Sequence, residues 1–141
     1  MEKIWITLAL IALAQGTSNL RNQPLKIGQA CDGYAPFNIS TFNISPWPPV
    51  FNHPMTISFQ GVFQMSVQVA YLATGESCNY QNWEYTQYPI NQNFTAGQSK
   101  TFTQQLSSGS TKGNCYLQVT LHGAPPEDLF ITCWEVNYQL N

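Results

Sequence analysis

Charged side chains are scarce in this chain. Asp, Glu, Lys and Arg make up 9% of its 141 residues, with five cations against seven acids and a net charge of −2. After Lys3 the cations are Arg21, Lys26, Lys100 and Lys112, too scattered to form a basic patch. A nucleic-acid partner calls for clustered Lys and Arg to neutralise phosphates, so that class of function is set aside. Histidine is almost as rare, at two residues, His53 and His122. His53 lies in a proline-rich stretch and His122 borders a turn. A Ser-His-acid arrangement drawn through His122 and Asp128 has no nucleophile motif behind it. The acids Glu76, Glu84, Glu127 and Asp128 fall in stretches that read as loops, where a solvated carboxylate is the default rather than half of a glycosidase pair. The sequence is therefore read as non-enzymatic. There is no H-E-x-x-H and no C-x2-C, so no metal site is expected. No cofactor motif is found.

Long apolar runs are also few. Ile4 to Leu13 is nearly unbroken, but it is about half of the ~20 residues that a bilayer span needs. It follows a short charged start and is closed by Ala12-Leu13-Ala14, the small-x-small pattern of a signal peptidase site. Residues 1–14 are expected to be a signal peptide, 15–24 a polar lead-in, and 25–141 one folded domain, secreted or delivered to a lysosomal lumen. All four cysteines, Cys31, Cys78, Cys115 and Cys133, lie beyond that site. An even count in an exported chain implies two disulfides, and counting leaves all three pairings open. Asn38, Asn43 and Asn93 each begin an N-x-Ser/Thr triplet and are candidate glycosylation sites.

Helical periodicity is absent, and the apolar residues recur at every second position. Leu25 to Ala30 is expected to be a short strand, and Asp32-Gly33-Tyr34-Ala35-Pro36 a turn. Phe37 to Ile44 is a second strand, rich in β-formers. Ser45 to Pro54 holds four prolines and is expected to cross over on the surface. Met55, Ile57, Phe59, Gly61 and Phe63 share one parity, and Met65, Val67, Val69 and Tyr71 continue it after a turn expected near Gly61 to Gln64. Thr74 to Gly97 carries a weaker signal, either a ragged strand or a long loop. Alternation returns at Ser99 to Leu106, at Tyr116 to Leu121 through Leu117 and Val119, and at Leu129 to Leu140 through Phe130 and Trp134. Seven or so strands separated by turns imply an all-β, immunoglobulin-like antiparallel two-sheet β-sandwich.

Several segments together resemble the ML lipid-recognition domain family. They are Cys31-Asp32-Gly33, Ser45-Pro46-Trp47-Pro48-Pro49, Met55 to Gly61, Gly113-Asn114-Cys115-Tyr116 and Ile131-Thr132-Cys133-Trp134. The resemblance runs from Cys31 to Leu140 and is strongest to the ganglioside activator and phosphatidylglycerol/phosphatidylinositol transfer branches. It implies a cavity between the two sheets that holds a lipid acyl chain, whether of a phospholipid, glycolipid, sterol or fatty acid. It also implies pairing of Cys31 with Cys133, which leaves Cys78 with Cys115. The chain departs from the ganglioside activator in lacking further cysteines in its middle.

Under that resemblance, the expected cavity lining is Ile57, Phe59, Phe63, Met65, Val67, Val69, Phe102, Leu117, Val119, Phe130 and Trp134. An ordinary packed core would use the same positions. Trp47, Trp83, Tyr85 and Tyr88 are placed near the mouth, where amphipathic rings favour a membrane interface. A protein partner is the other expectation, because an immunoglobulin-like sandwich with a filled core serves as an interaction module or structural subunit.

Overall fold

The structure, a computed structural model, describes residues 27–31, 33, 35–126 and 129–141. The expected signal peptide and polar lead-in lie outside the described residues. Eight strands run in chain order: β1 Gln29–Ala30, β2 Phe37–Ser45, β3 Pro54–Phe63, β4 Val67–Cys78, β5 Glu84–Phe94, β6 Ser99–Ser107, β7 Gly113–Gly123 and β8 Phe130–Leu140. They form two antiparallel sheets, one in the order β1-β8-β7-β4-β5 and one in the order β2-β3-β6. The fold is an immunoglobulin-like β-sandwich.

The three-stranded sheet follows directly from its alternation. Met55, Ile57, Phe59 and Phe63 turn inward from β3 and are buried. Ser58 and Gln60 face outward and meet the polar parities of β2 and β6 in register. In β2 a bulge at Ser40 shifts the register between Ile39 and Thr41, so the buried set steps from Phe37 and Ile39 to Phe42 and Ile44. An extra residue in one strand changes which parity faces the core. At Gly61 a Cβ would sit 2.3 Å from the Asn38 carbonyl oxygen and 2.7 Å from the Phe37 ring, so only glycine lets β2 and its phenylalanine approach.

Several expectations are corrected. Pro54 opens β3, at the strand's first position, where its missing N–H is tolerated. The turn after β3 comes at Gln64 to Ser66, beyond Gly61, and it leaves Met65 exposed. The Val69 parity does not reach Tyr71, because a bulge at Ala70 reverses the faces of β4. Leu72, Thr74, Glu76 and Cys78 then share the inward face with their partners Leu121, Val119, Leu117 and Cys115. Within the weak stretch from Thr74 to Gly97, β4 runs on to Cys78 and Glu84–Phe94 form β5 at the sheet edge, with turns after each. β5 is largely exposed, so it lacks the alternation that burial imposes on the other strands. In β8 a register shift opposite Leu121 and His122 moves Phe130 out of the inward parity, and it is 47% exposed. The first strand is shorter than expected. Only Gln29 and Ala30 pair with β8, and Leu25 and Lys26 lie outside the described residues.

The two sheets are joined by an aromatic pillar. Phe42 stacks on Phe59 within its own sheet at 5.7 Å and on Trp134 of the facing sheet at 5.6 Å. A second cluster of Phe37, Phe63, Phe94 and Phe102 fills the space beside it, with Phe63 and Phe94 stacked at 4.4 Å. Such pairs add about 0.5–1.5 kcal/mol each beyond their buried area. Ile27 straps one seam between the sheets. Its N–H donates to the Phe42 carbonyl at 3.2 Å, and its carbonyl accepts the Trp134 indole N–H at 2.7 Å.

Both bridges implied by the resemblance are formed, Cys31–Cys133 and Cys78–Cys115. They close sequence separations of 102 and 37 residues. Loop-closure entropy then makes the first worth about 0.9 kcal/mol more than the second. Urea unfolding of the Cys31→Ser/Cys133→Ser and Cys78→Ser/Cys115→Ser proteins is expected to show the larger loss for the first pair. Equal losses would mean that the unfolded chain is held by something other than these closures.

Candidate functional site

Because the pillar fills the middle of the sandwich, open space is found at its seams. Where β1 and β8 of one sheet face β2 of the other, a groove of about 640 Å³ opens. Phe37 and Ile39 form one wall, Thr132 and Trp134 the other, with Phe130 and Ala35 toward one end. Asn38 and Gln64 also line it. The Ile27–Gln29 strap separates it from a shallower concavity of about 410 Å³ beside Trp47 and Val136. The volume of the main groove lies within the range of small-molecule sites, about 300–1,000 Å³.

A third opening, of about 400 Å³, lies at the opposite seam, where β4 and β5 face β6. Met55, Leu106 and Leu117 make its floor. Glu76, Glu84, Thr74, Thr86 and Tyr88 come from β4 and β5, and Ser107 to Ser110 close its end. Sequence reading placed Glu76 and Glu84 in loops. They are instead strand residues paired directly across β4 and β5. The signal was hidden because β5 is an exposed edge strand, so its polar residues carry no alternation.

Glu76 is held in place. Its Oε1 accepts the Gly109 backbone N–H at 3.2 Å and the Tyr138 hydroxyl. Burial, then the bond to Glu76 and that carboxylate's charge, push the Tyr138 phenol well above its ordinary pKa of 10.0.

The expected lining residues divide three ways. Phe130 and Trp134 line the groove at the β1–β2 seam, and Leu117 lies in the floor of the opposite concavity. Ile57, Phe59, Phe63, Val69, Phe102 and Val119 are buried in the packed interior, with Val67 half-buried against it. Met65 is 43% exposed at the β3–β4 turn. Sequence reasoning missed Ala35, Phe37, Ile39 and Thr132 as groove residues. Which inward positions border a seam depends on sheet order, and alternation carries no information about that. The aromatics placed at one mouth are spread out: Trp47 lies beside the strap, Tyr88 in the opposite concavity, and Trp83 stacks on Tyr85 at 6.0 Å. A Cβ at Gly75 would sit 2.6 Å from the Tyr85 ring and 3.2 Å from that of Trp83, so the pair lies across β4.

The histidines occupy structural positions. His53 is exposed, with Nδ1 2.8 Å from the Phe51 carbonyl oxygen. His122 stacks on Tyr71 at 4.8 Å and its Nε2 lies 2.9 Å from the Thr120 hydroxyl. Glu127 and Asp128 lie outside the described residues.

No protein-family model and no curated protein matches the chain. Solved structures do match its fold. One is the C-terminal domain of wzt, with a TM-score of 0.67 and 11% identity, covering 83% of this chain and 82% of that one. Another is a Niemann-Pick type C2 protein from Japanese carpenter ant, with a TM-score of 0.58 and 9% identity, covering 82% of this chain and 99% of that one. At such identities the likeness concerns the fold alone. It supports an immunoglobulin-like, ML-like sandwich fold and nothing finer.

The raised Tyr138 pKa has a sign that can be tested. The folded state holds the phenolic proton more tightly than the unfolded chain does. The resulting stability is full below the unfolded value of 10.0 and is lost as pH rises above it. Melting temperatures from pH 8 to 11 are expected to fall more steeply for the natural protein than for Tyr138→Phe. At neutral pH that variant is expected to lose about 1–3 kcal/mol, because the Glu76 carboxylate loses a donor.

Proposed function

We propose that the chain is a lipid-binding protein that holds an apolar chain in the groove between β1–β8 and β2. The observation that carries the reading is the groove itself, a cavity of about 640 Å³ walled by Phe37, Ile39, Thr132 and Trp134 at the rim of an otherwise filled sandwich. The ML resemblance of the sequence and the ML-like fold support it. The energetics favour it as well: each buried CH2 contributes about 0.8 kcal/mol, so a tail of ten or so carbons would offset the cost of association with few polar contacts. The site therefore differs from the central cavity implied by the resemblance. The ligand lies along a seam, and the residues that bind it are those of the seam.

The role is that of a carrier or presenter without catalysis. Two disulfides suit an oxidising compartment such as the extracellular space or a lysosomal lumen. Asn38, Asn43 and Asn93 are all exposed, as N-linked modification requires, and the reading includes glycosylation at one or more of them. A second reading, an immunoglobulin-like interaction module, draws on the filled interior, since the Phe42–Trp134 stack occupies the space a central ligand would need.

The two readings separate on the purified, secreted protein. Native mass spectrometry with organic extraction is expected to recover a lipid in stoichiometric amount. Ala35→Phe, which places a ring in the groove, is expected to weaken uptake of a fluorescent fatty acid about tenfold while leaving the circular dichroism spectrum unchanged. A lipid-free protein that takes up no fatty acid would leave the interaction module as the reading. In the same preparation, a mass shift on treatment with an N-glycosidase is expected, and it should diminish as Asn38, Asn43 and Asn93 are changed to Gln.

A further inference from the structure

The concavity at the β5–β6 seam has no part in the lipid reading, yet it combines features that an idle crevice does not need. Glu76 and Glu84 are directly opposed on neighbouring strands, and both line it. Side chains so placed stand about 4.5–5.5 Å apart at Cβ, and like charges there are destabilising unless something lies between or beside them. Glu76 is fixed by Gly109 and Tyr138. Thr74 also lines the concavity. It is 7% exposed and makes no side-chain hydrogen bond among the described residues. A hydroxyl without a protein partner, on a nearly buried residue that lines the concavity beside two carboxylates, is available to a ligand.

We propose that this concavity binds a small organic ammonium ion of the choline or ethanolamine class. The carboxylates supply its counter-charge, and no Lys, Arg or His is among the lining residues to compete for them. The floor of Met55, Leu106 and Leu117 suits methyl and methylene groups. Half-buried Tyr88 is also a lining residue, and aromatic rings attract ammonium groups. A metal ion fits less well. Calcium takes six to eight oxygen ligands at about 2.3–2.6 Å, and this space of about 400 Å³ has an apolar floor. The cysteines nearest Glu76, Cys78 and Cys115, are bonded to each other and offer no thiolate.

The test is an NMR titration of the full chain with choline chloride and, separately, with tetramethylammonium chloride. Saturable shifts are expected at Thr74, Thr86 and Tyr88. Glu84→Gln, on the exposed edge strand, is expected to weaken binding about tenfold and to leave fatty-acid uptake unchanged. Ala35→Phe is expected to do the reverse, so failure of this site and failure of the lipid groove are distinguishable. Competition by phosphatidylcholine vesicles would mark a lipid headgroup as the source of the ammonium group, and its absence a free ion. The proposal is overturned if no saturable shift occurs, if Glu84→Gln binds as well as the natural protein, or if calcium chloride produces the same shifts at lower concentration.

Discussion

The stack of Phe42 between Phe59 and Trp134 governs the rest of this structure. Two rings of one sheet meet the indole of the other across the gap, and the indole N–H holds the Ile27 strap. Packing at protein-interior density leaves little room beside such a pillar. Any ligand space is therefore displaced from the centre of the sandwich to its two seams, and the main groove and the opposite concavity differ in chemistry because different sheet edges meet there.

At the β1–β2 seam the edges are apolar on their inner faces, and the closing segment is short. Strap, disulfide and indole bond all act on residues 27–31, so the groove beside them is bounded by covalent and hydrogen-bonded links rather than by side-chain packing alone. At the β5–β6 seam the edge strand β5 is polar and exposed, and the concavity inherits carboxylates and hydroxyls. One sandwich thus presents an apolar groove on one side and an anionic pocket on the other.

The bulges in β2, β4 and β8 are the devices that produce this layout. Each reverses the face of the residues beyond it. The reversal in β2 brings Phe42 and Ile44 inward, the one in β4 turns Glu76 toward the concavity, and the one in β8 releases Phe130 to the groove's end. Without the bulge at Ala70, Glu76 would share the outer face and the carboxylate pair would stand in open solvent.

Alternation alone determined that this is an all-β sandwich, that Met55, Ile57, Phe59 and Phe63 face one way, and that Leu117 and Val119 share a face of their own strand. Each of these depends on neighbours two residues apart, and a strand's geometry is fixed at that range. The family resemblance added the pairing of Cys31 with Cys133. Tertiary structure decided the rest. Sheet order chose Phe37, Ile39 and Thr132 as groove walls, bulges placed Phe130 and Glu76, and cross-strand register brought Glu84 opposite Glu76. These choices rest on contacts between residues far apart in the chain, where closure and packing, not local periodicity, set which faces meet.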